Sequence, residues 1–172
     1  MMLSEKITTA LNQQIAMEAY AANYYLAMAS WCDQQGLEGS AGFFYAQAEE
    51  EREHMMKIFH FVNDADGKAI APAIAQPPSD FESLAAICKT AIGHEQKVTA
   101  AIHAIQKQAM SEGDYRTINL MNWFVDEQLE EENQMQGIMD KLKLIGNDGT
   151  GLYMLDKELG AKAAAKEAGE ED

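Results

Sequence analysis

The stretch Glu49-Glu50-Glu51-Arg52-Glu53-His54 holds residue types from which hard-metal sites are built. It lies in a segment where Phe44, Gln47, Glu51, His54, Ile58 and Phe61 recur at alternating steps of three and four. That periodicity marks the buried seam of a bundle helix. A seam should be apolar, yet this one carries a carboxylate and an imidazole at its middle. At i, i+3 the two lie about 60° apart on a helix, so both reach one point inside the bundle. A buried carboxylate without a partner is costly, and a metal cation is the simplest group that offsets the cost. Glu-x-x-His also arises by chance on solvated faces, where a salt bridge is the plain reading, so the rest of the chain must decide.

Four long segments share the seam pattern, which predicts an all-α four-helix bundle. Ser4 to about Asp33 reads as helix A, with Ile7, Leu11, Gln14, Glu18, Ala22, Tyr25 and Ala29 facing inward. Glu18 and Tyr25, seven apart, stack on that face. Gln34 to Ser40, with Gly36 and Gly39, is a short connection that makes helix B antiparallel to A. Ser40 is the expected N-cap of helix B, which runs from about Ala41 to Asp66. Gly67 to Ser79 contains all three prolines. Its roughly 13 residues can span about 43 Å, enough to cross a helix about 39 Å long. It therefore reads as a long B–C crossover that leaves B and C parallel.

Ser79-Asp80-Phe81-Glu82 has the form of a capping box that opens helix C, which runs to about Met110. The seam of helix C reads Leu84, Ile87, Ala91, Glu95, Val98, Ile102, Ile105, Ala109, with Glu95 interrupting its middle. His94 points about 100° away; like His60 and His103 it is expected at the boundary and not as a ligand. Asp114 caps helix D, whose seam is Ile118, Met121, Val125, Gln128, Glu131, Met135, Ile138, Leu142 and Ile145. Gln128 and Glu131 repeat the i, i+3 arrangement of Glu51 and His54. No basic residue lies on any of these seams. After Gly146–Gly151, Leu152 to Leu159 forms a short fifth C-terminal helix. Residues from about 160 to 172 carry no large apolar group and are expected to be disordered.

A chain of 172 residues fits one domain, 1–172. Its formal charge of −15 disfavours nucleic acid as a partner and is compatible with steering cations inward. No run of 18 apolar residues appears, so no membrane span is expected. The N-terminus Met1-Met2-Leu3-Ser4-Glu5-Lys6 lacks the apolar core of a signal peptide. Cys32 and Cys88 are too few and too far apart for a disulfide framework. Together these point to a cytoplasmic protein. The eleven methionines read as flexible core filler, not as haem or metal ligands.

Each of the four seams thus carries polar residues at mid-helix: Glu18; Glu51 and His54; Glu95; Gln128 and Glu131. Four helices burying acids at one level require cations. Hard oxygen ligands with one imidazole suit iron better than a structural thiolate zinc site. At this point the chain resembles the bacterial non-haem ferritins, over nearly its whole length to about Leu159. The resemblance is carried by Glu18 with Tyr25, Glu51-Arg52-Glu53-His54, His94-Glu95-Gln96, Glu127-Gln128-Leu129-Glu130-Glu131, and Gly151-Leu152-Tyr153-Met154-Leu155-Asp156-Lys157-Glu158-Leu159.

The resemblance implies a ferritin-like four-helix bundle and a ferroxidase that stores iron in a hollow homo-oligomeric cage of 24 subunits. Its di-iron centre would oxidise Fe(II) with O2 or H2O2. By the same resemblance, Glu18, Glu51 and His54 hold the first iron. Glu51 bridges, Glu95 and Glu131 hold the second iron, and Gln128 lies close by. Glu50, Glu127, Glu130 and Glu131 match the acids of a third iron site; a solvated helix face is the competing reading for Glu50, Glu127 and Glu130. Tyr25 matches the tyrosine beside the di-iron site, and Trp123 a nearby aromatic. The chain departs from bacterioferritins, which carry a second Glu-x-x-His on the last helix, where Gln128-Leu129-Glu130-Glu131 stands here. They place a haem-ligating methionine where this chain has Arg52, and Met55 and Met56 are out of register, so no haem is expected. The site set within one chain also argues against miniature ferritins. A di-iron oxidase or peroxide scavenger without mineral storage is the competing function, and the fifth helix weighs against it.

Overall fold

The computed structural model describes residues 3–169, which form five α-helices and no strand. They are α1 (Glu5–Gln34), α2 (Glu38–Asp64), α3 (Leu84–Glu112), α4 (Tyr115–Ile145) and α5 (Gly149–Glu167). Local signals set several ends. The Ser4 hydroxyl accepts from the Ile7 N–H at 3.1 Å and starts α1. Gly113, at φ +68°, takes the left-handed turn that stops α3. The Asp114 carboxylate then accepts from the N–H groups of Arg116 and Thr117 and starts α4. Among the described residues no helix is long and apolar enough to cross a membrane.

Two apolar clusters fix the topology. One gathers the C-terminal half of α1 (Tyr25, Met28, Cys32), the start of α2 (Phe43, Phe44), the start of α3 (Leu84, Ile87, Cys88) and the C-terminal half of α4 (Met135, Ile138). The other gathers the opposite halves: Ile7, Leu11 and Ile15; Ile58 and Val62; Val98, Ile102 and Ile105; Met121 and Phe124. So α1 is antiparallel to α2, α3 to α4, and α2 and α3 run parallel, as the crossover requires. The crossover spans 65–83 and is tied to α1 through Asn12. The Asn12 amide donates to the Lys68 carbonyl at 2.9 Å and its oxygen accepts from the Ile70 N–H at 2.8 Å. Cys32 and Cys88 are buried free thiols.

Three expectations about element ends are corrected. Helix α2 starts at Glu38, and Ser40 lies inside it. The carboxylate that covers its first turn belongs to Asp156 on α5, which accepts from the Gly39 N–H at 3.1 Å and from the Ser40 N–H and hydroxyl at 2.7 Å each. Ser79 caps nothing; its hydroxyl donates to Asp80, and Ser83 caps α3 by accepting from the Ala86 N–H. Phe81 is held edge-on against Tyr24 and Trp31, which keeps the segment before Ser83 out of the helix. The expected disordered tail is helical to Glu167; residues 170–172 of that expectation lie outside the described residues.

The tail folds because it has a seat. The small residues that gave it no apolar signal let two backbones approach, with Gly160 against Gly39 and Ala163 beside Gly42. Leu155 and Leu159 bury into the first cluster, and Lys141 of α4 pairs with Glu158. A Cβ at Gly39 would lie 1.8 Å from the Asp156 carbonyl oxygen. Gly39→Ala is therefore expected to lift α5 from α2 and to cost about 1–3 kcal/mol, as overpacking does. Hydrogen exchange should show α5 amides losing protection before those of α3; unchanged α5 protection would refute the seat.

Candidate metal centre

Between the two apolar clusters lies one polar layer. It takes Gln14 and Glu18 from α1, Gln47, Glu51 and His54 from α2, Glu95 from α3, and Gln128 and Glu131 from α4, each 3% exposed or less. The same seam that carries apolar residues into the clusters carries these inward one or two turns away, because i+3 and i+4 steps keep one face. All seven residues expected on the di-iron centre, Tyr25 included, are buried.

Glu18, Glu51 and His54 each present a ligand atom, all within 4.8 Å of one another. His54 Nδ1 stands 3.5 Å from Glu51 Oε2. Glu50, His54 and Glu127 form a second such group, in which His54 Nε2 stands 3.7 Å from Glu127 Oε2. The two imidazole nitrogens thus face different carboxylates. Glu95 and Glu131 enter the layer from the opposite hairpin and belong to neither of these two groups. Glu130 is exposed and also joins neither.

Neutral donors hold the carboxylates. Gln14 Nε2 donates to Glu18 Oε1 at 2.8 Å, and Gln47 Nε2 donates to Glu131 Oε2 at 2.8 Å. The Tyr25 hydroxyl donates to Glu95 Oε1 at 2.6 Å, and Gln128 Nε2 donates to Glu95 Oε2 at 3.0 Å. Glu18 Oε2, Glu51 Oε1 and His54 Nδ1 are buried with no hydrogen-bond partner. Buried polar atoms are nearly always satisfied. The same three residues bring one ligand atom each within 4.8 Å of the others, an arrangement a hard cation would complete, and the donor set of carboxylates plus imidazole fits iron.

Gln14 and Gln47 appeared in the sequence only as seam positions, although a glutamine beside a seam glutamate is itself a signal of an oriented carboxylate. Trp123 is half-buried, edge-on to His54 at 5.4 Å between ring centroids, with the Lys57 ammonium 3.8 Å from its ring centroid. The histidines expected off the site stay off it. His60 and His103 are exposed, and the half-buried His94 stacks on Tyr24.

Burial pushes the carboxyls of Glu18, Glu51 and Glu131 well above the ordinary carboxylate range. Neighbouring acids push the same way: Glu51 on Glu18, Glu95 on Glu51, and Glu50 on Glu131. Burial also raises the Tyr25 phenol, which stays protonated as the donor to Glu95. A metal binding here must displace protons, so its affinity rises with pH.

The folded-state pKa of Glu51 is raised, so its stabilising contribution is full below the unfolded value of 4.5 and is lost as pH rises above it. Metal-free wild type should therefore lose thermal stability between pH 5 and pH 8 more steeply than metal-free Glu51→Gln. Parallel melting curves across that range would show that Glu51 carries no such burden.

A family model described as Ferritin-like domain matches residues 8–145. A protein of Haemophilus influenzae named "Probable bacterial non-heme ferritin-like protein" is 42% identical over 159 residues, 92% of this chain and 96% of that one. A "Bacterial non-heme ferritin" of Campylobacter jejuni is 40% identical over 91% of this chain and 93% of its own. An open pore ferritin of the hyperthermophilic archaeon Archaeoglobus fulgidus superposes with a TM-score of 0.91 at 42% identity, covering 93% of this chain and 98% of that one. At these identities and coverages, the chain belongs to the ferritin family.

Proposed function

We propose that the protein is an iron-storage ferroxidase, taking Fe(II) as substrate and keeping the ferric product as mineral inside a closed homo-oligomeric cage of 24 subunits in the cytoplasm. The observation that carries this reading is the set of orphaned ligand atoms on Glu18, Glu51 and His54. These three residues receive the first Fe(II). Glu51 bridges to the second, which Glu95 and Glu131 hold beside Gln128. Glu50, Glu127, Glu130 and Glu131 form a third, outer position; the grouping of Glu50, His54 and Glu127 supports it.

The residues divide the work. Binding two Fe(II) releases the protons that burial keeps on Glu18, Glu51 and Glu131. The two ions each give up one electron. O2 takes the pair with two protons to become H2O2, or H2O2 takes the pair with two protons to become two waters. Gln14, Gln47, Gln128 and Tyr25 each hold a carboxylate oxygen in place, which keeps the two ions at a spacing one oxidant can bridge. The apolar clusters on either side limit water at the centre. The name "non-heme ferritin" carried by the Campylobacter jejuni relative supports this reading.

A stopped-flow Fe(II) titration of metal-free protein in air tests it. Wild type should give a fast ferric phase that saturates at two or three irons per chain, followed by slower mineral growth. Glu51→Ala should lose the fast phase, exceeding the roughly 10–100-fold cost typical of outer-shell partners. A full initial rate in Glu51→Ala would remove the bridging role, and a fast phase without mineral growth would favour an oxidase that does not store iron.

A further inference from the structure

Helix α5 does more than close the end of the bundle. It lies parallel to α2 in a fixed register, with Asp156 at Gly39 and Ser40, Gly160 at Gly39, and Ala163 at Gly42. One turn further it brings the Lys166 ammonium to Glu50, with which it pairs, and to within 3.5 Å of Gln47 Oε1. The pair is partly buried, at 31% and 18% side-chain exposure, so solvent screens it less than a surface pair. Glu50 is also a member of the Glu50, His54 and Glu127 group, whose two carboxylates belong to the outer position proposed above. A protein cation and a metal cation would then compete for one carboxylate.

We propose that Lys166 is a positioning residue for iron, a tethered competitor that holds Glu50 when the outer position is empty and must leave when a divalent cation binds there. The inference rests on the outer position proposed above. Its consequence is an order of events. Lys166 touches Glu50 and reaches the inner Glu51 and Glu131 only through its field, so the inner ions bind first; the outer ion must displace the ammonium itself, binds more weakly, and is released readily toward mineral. The displaced ammonium has somewhere to go. A hollow of about 410 Å³ beside it is lined by Glu49, Glu53 and Glu167. Gln47 links the two levels, because it faces Lys166 through its oxygen and holds Glu131 through its nitrogen.

Anaerobic calorimetric titration with Fe(II) of the full chain tests this, using wild type, Lys166→Met, Lys166→Arg, Glu127→Ala and the Lys166→Met/Glu127→Ala double variant. Removing a unit charge at contact distance should tighten the outer binding event about tenfold in Lys166→Met. The inner events should tighten less than the outer one, Lys166→Arg should restore the weak affinity, and the outer gain should vanish in the double variant. Melting curves establish that α5 stays docked. Outer affinity in Lys166→Met equal to wild type would overturn the competitor role while leaving the outer position standing. A gain that survives in the double variant would place the effect elsewhere and also overturn it. If Glu127→Ala alone removes no binding event, the outer position itself is lost and the inference with it.

Discussion

Four carboxyl groups from four helices share one dry layer, and everything else in the chain is arranged around that fact. Like charges at such range in a low-dielectric interior repel strongly, and each ion also loses its hydration. The metal-free fold keeps the layer by leaving protons on it, since burial pushes Glu18, Glu51 and Glu131 upward. The hydrogen bonds that hold these carboxyls come from neutral groups. They are amides and a phenol, which donate a hydrogen bond without competing as a positive charge.

That layer also explains why the apolar residues come in two clusters and not one. Tyr25, Phe44 and Ile87 close it from one end, Ile15, Val98 and Phe124 from the other. A bundle about 40 Å long has room for both. Two clusters frame the costly middle, because each gathers apolar side chains from all four long helices. The long crossover is part of the same solution. By making α2 parallel to α3 it sets the Glu51–His54 turn level with Glu95, so that mid-helix acids meet mid-helix acids.

Much of this was legible in the sequence, and the reason is periodicity. All eight seam residues read for helix C are buried, Glu95 among them. The seam residues Gln128 and Glu131 of α4, and Gln47, Glu51 and His54 of α2, are buried as the spacing demands. A side chain's face depends only on its neighbours along one helix, so a single sequence reveals it. What it concealed were contacts made across the chain. Ser40 looked like a cap because serine caps helices locally, but the carboxylate that serves this helix start comes from Asp156, 116 residues away. Residues 160–167 looked disordered because alanine and glycine bury little surface by themselves. They fold because those same small side chains fit against Gly39 and Gly42, a complementarity that neither segment announces alone.

The edge of the layer follows a different rule from its centre. At the centre neutral groups hold the carboxylates, and Glu18 Oε2, Glu51 Oε1 and His54 Nδ1 have no hydrogen-bond partner. At the edge Glu50 already has one, delivered by the last turn of α5. His54 stands between the two regimes, with Nδ1 toward Glu51 and Nε2 toward Glu127. On the proposed reading, a cation that takes the Nδ1 lone pair would leave the ring proton on Nε2, which would face Glu127 as a donor and not as a ligand. The ring and the competing ammonium would then both oppose a second cation at the edge, and affinity would fall from the core of the bundle outward.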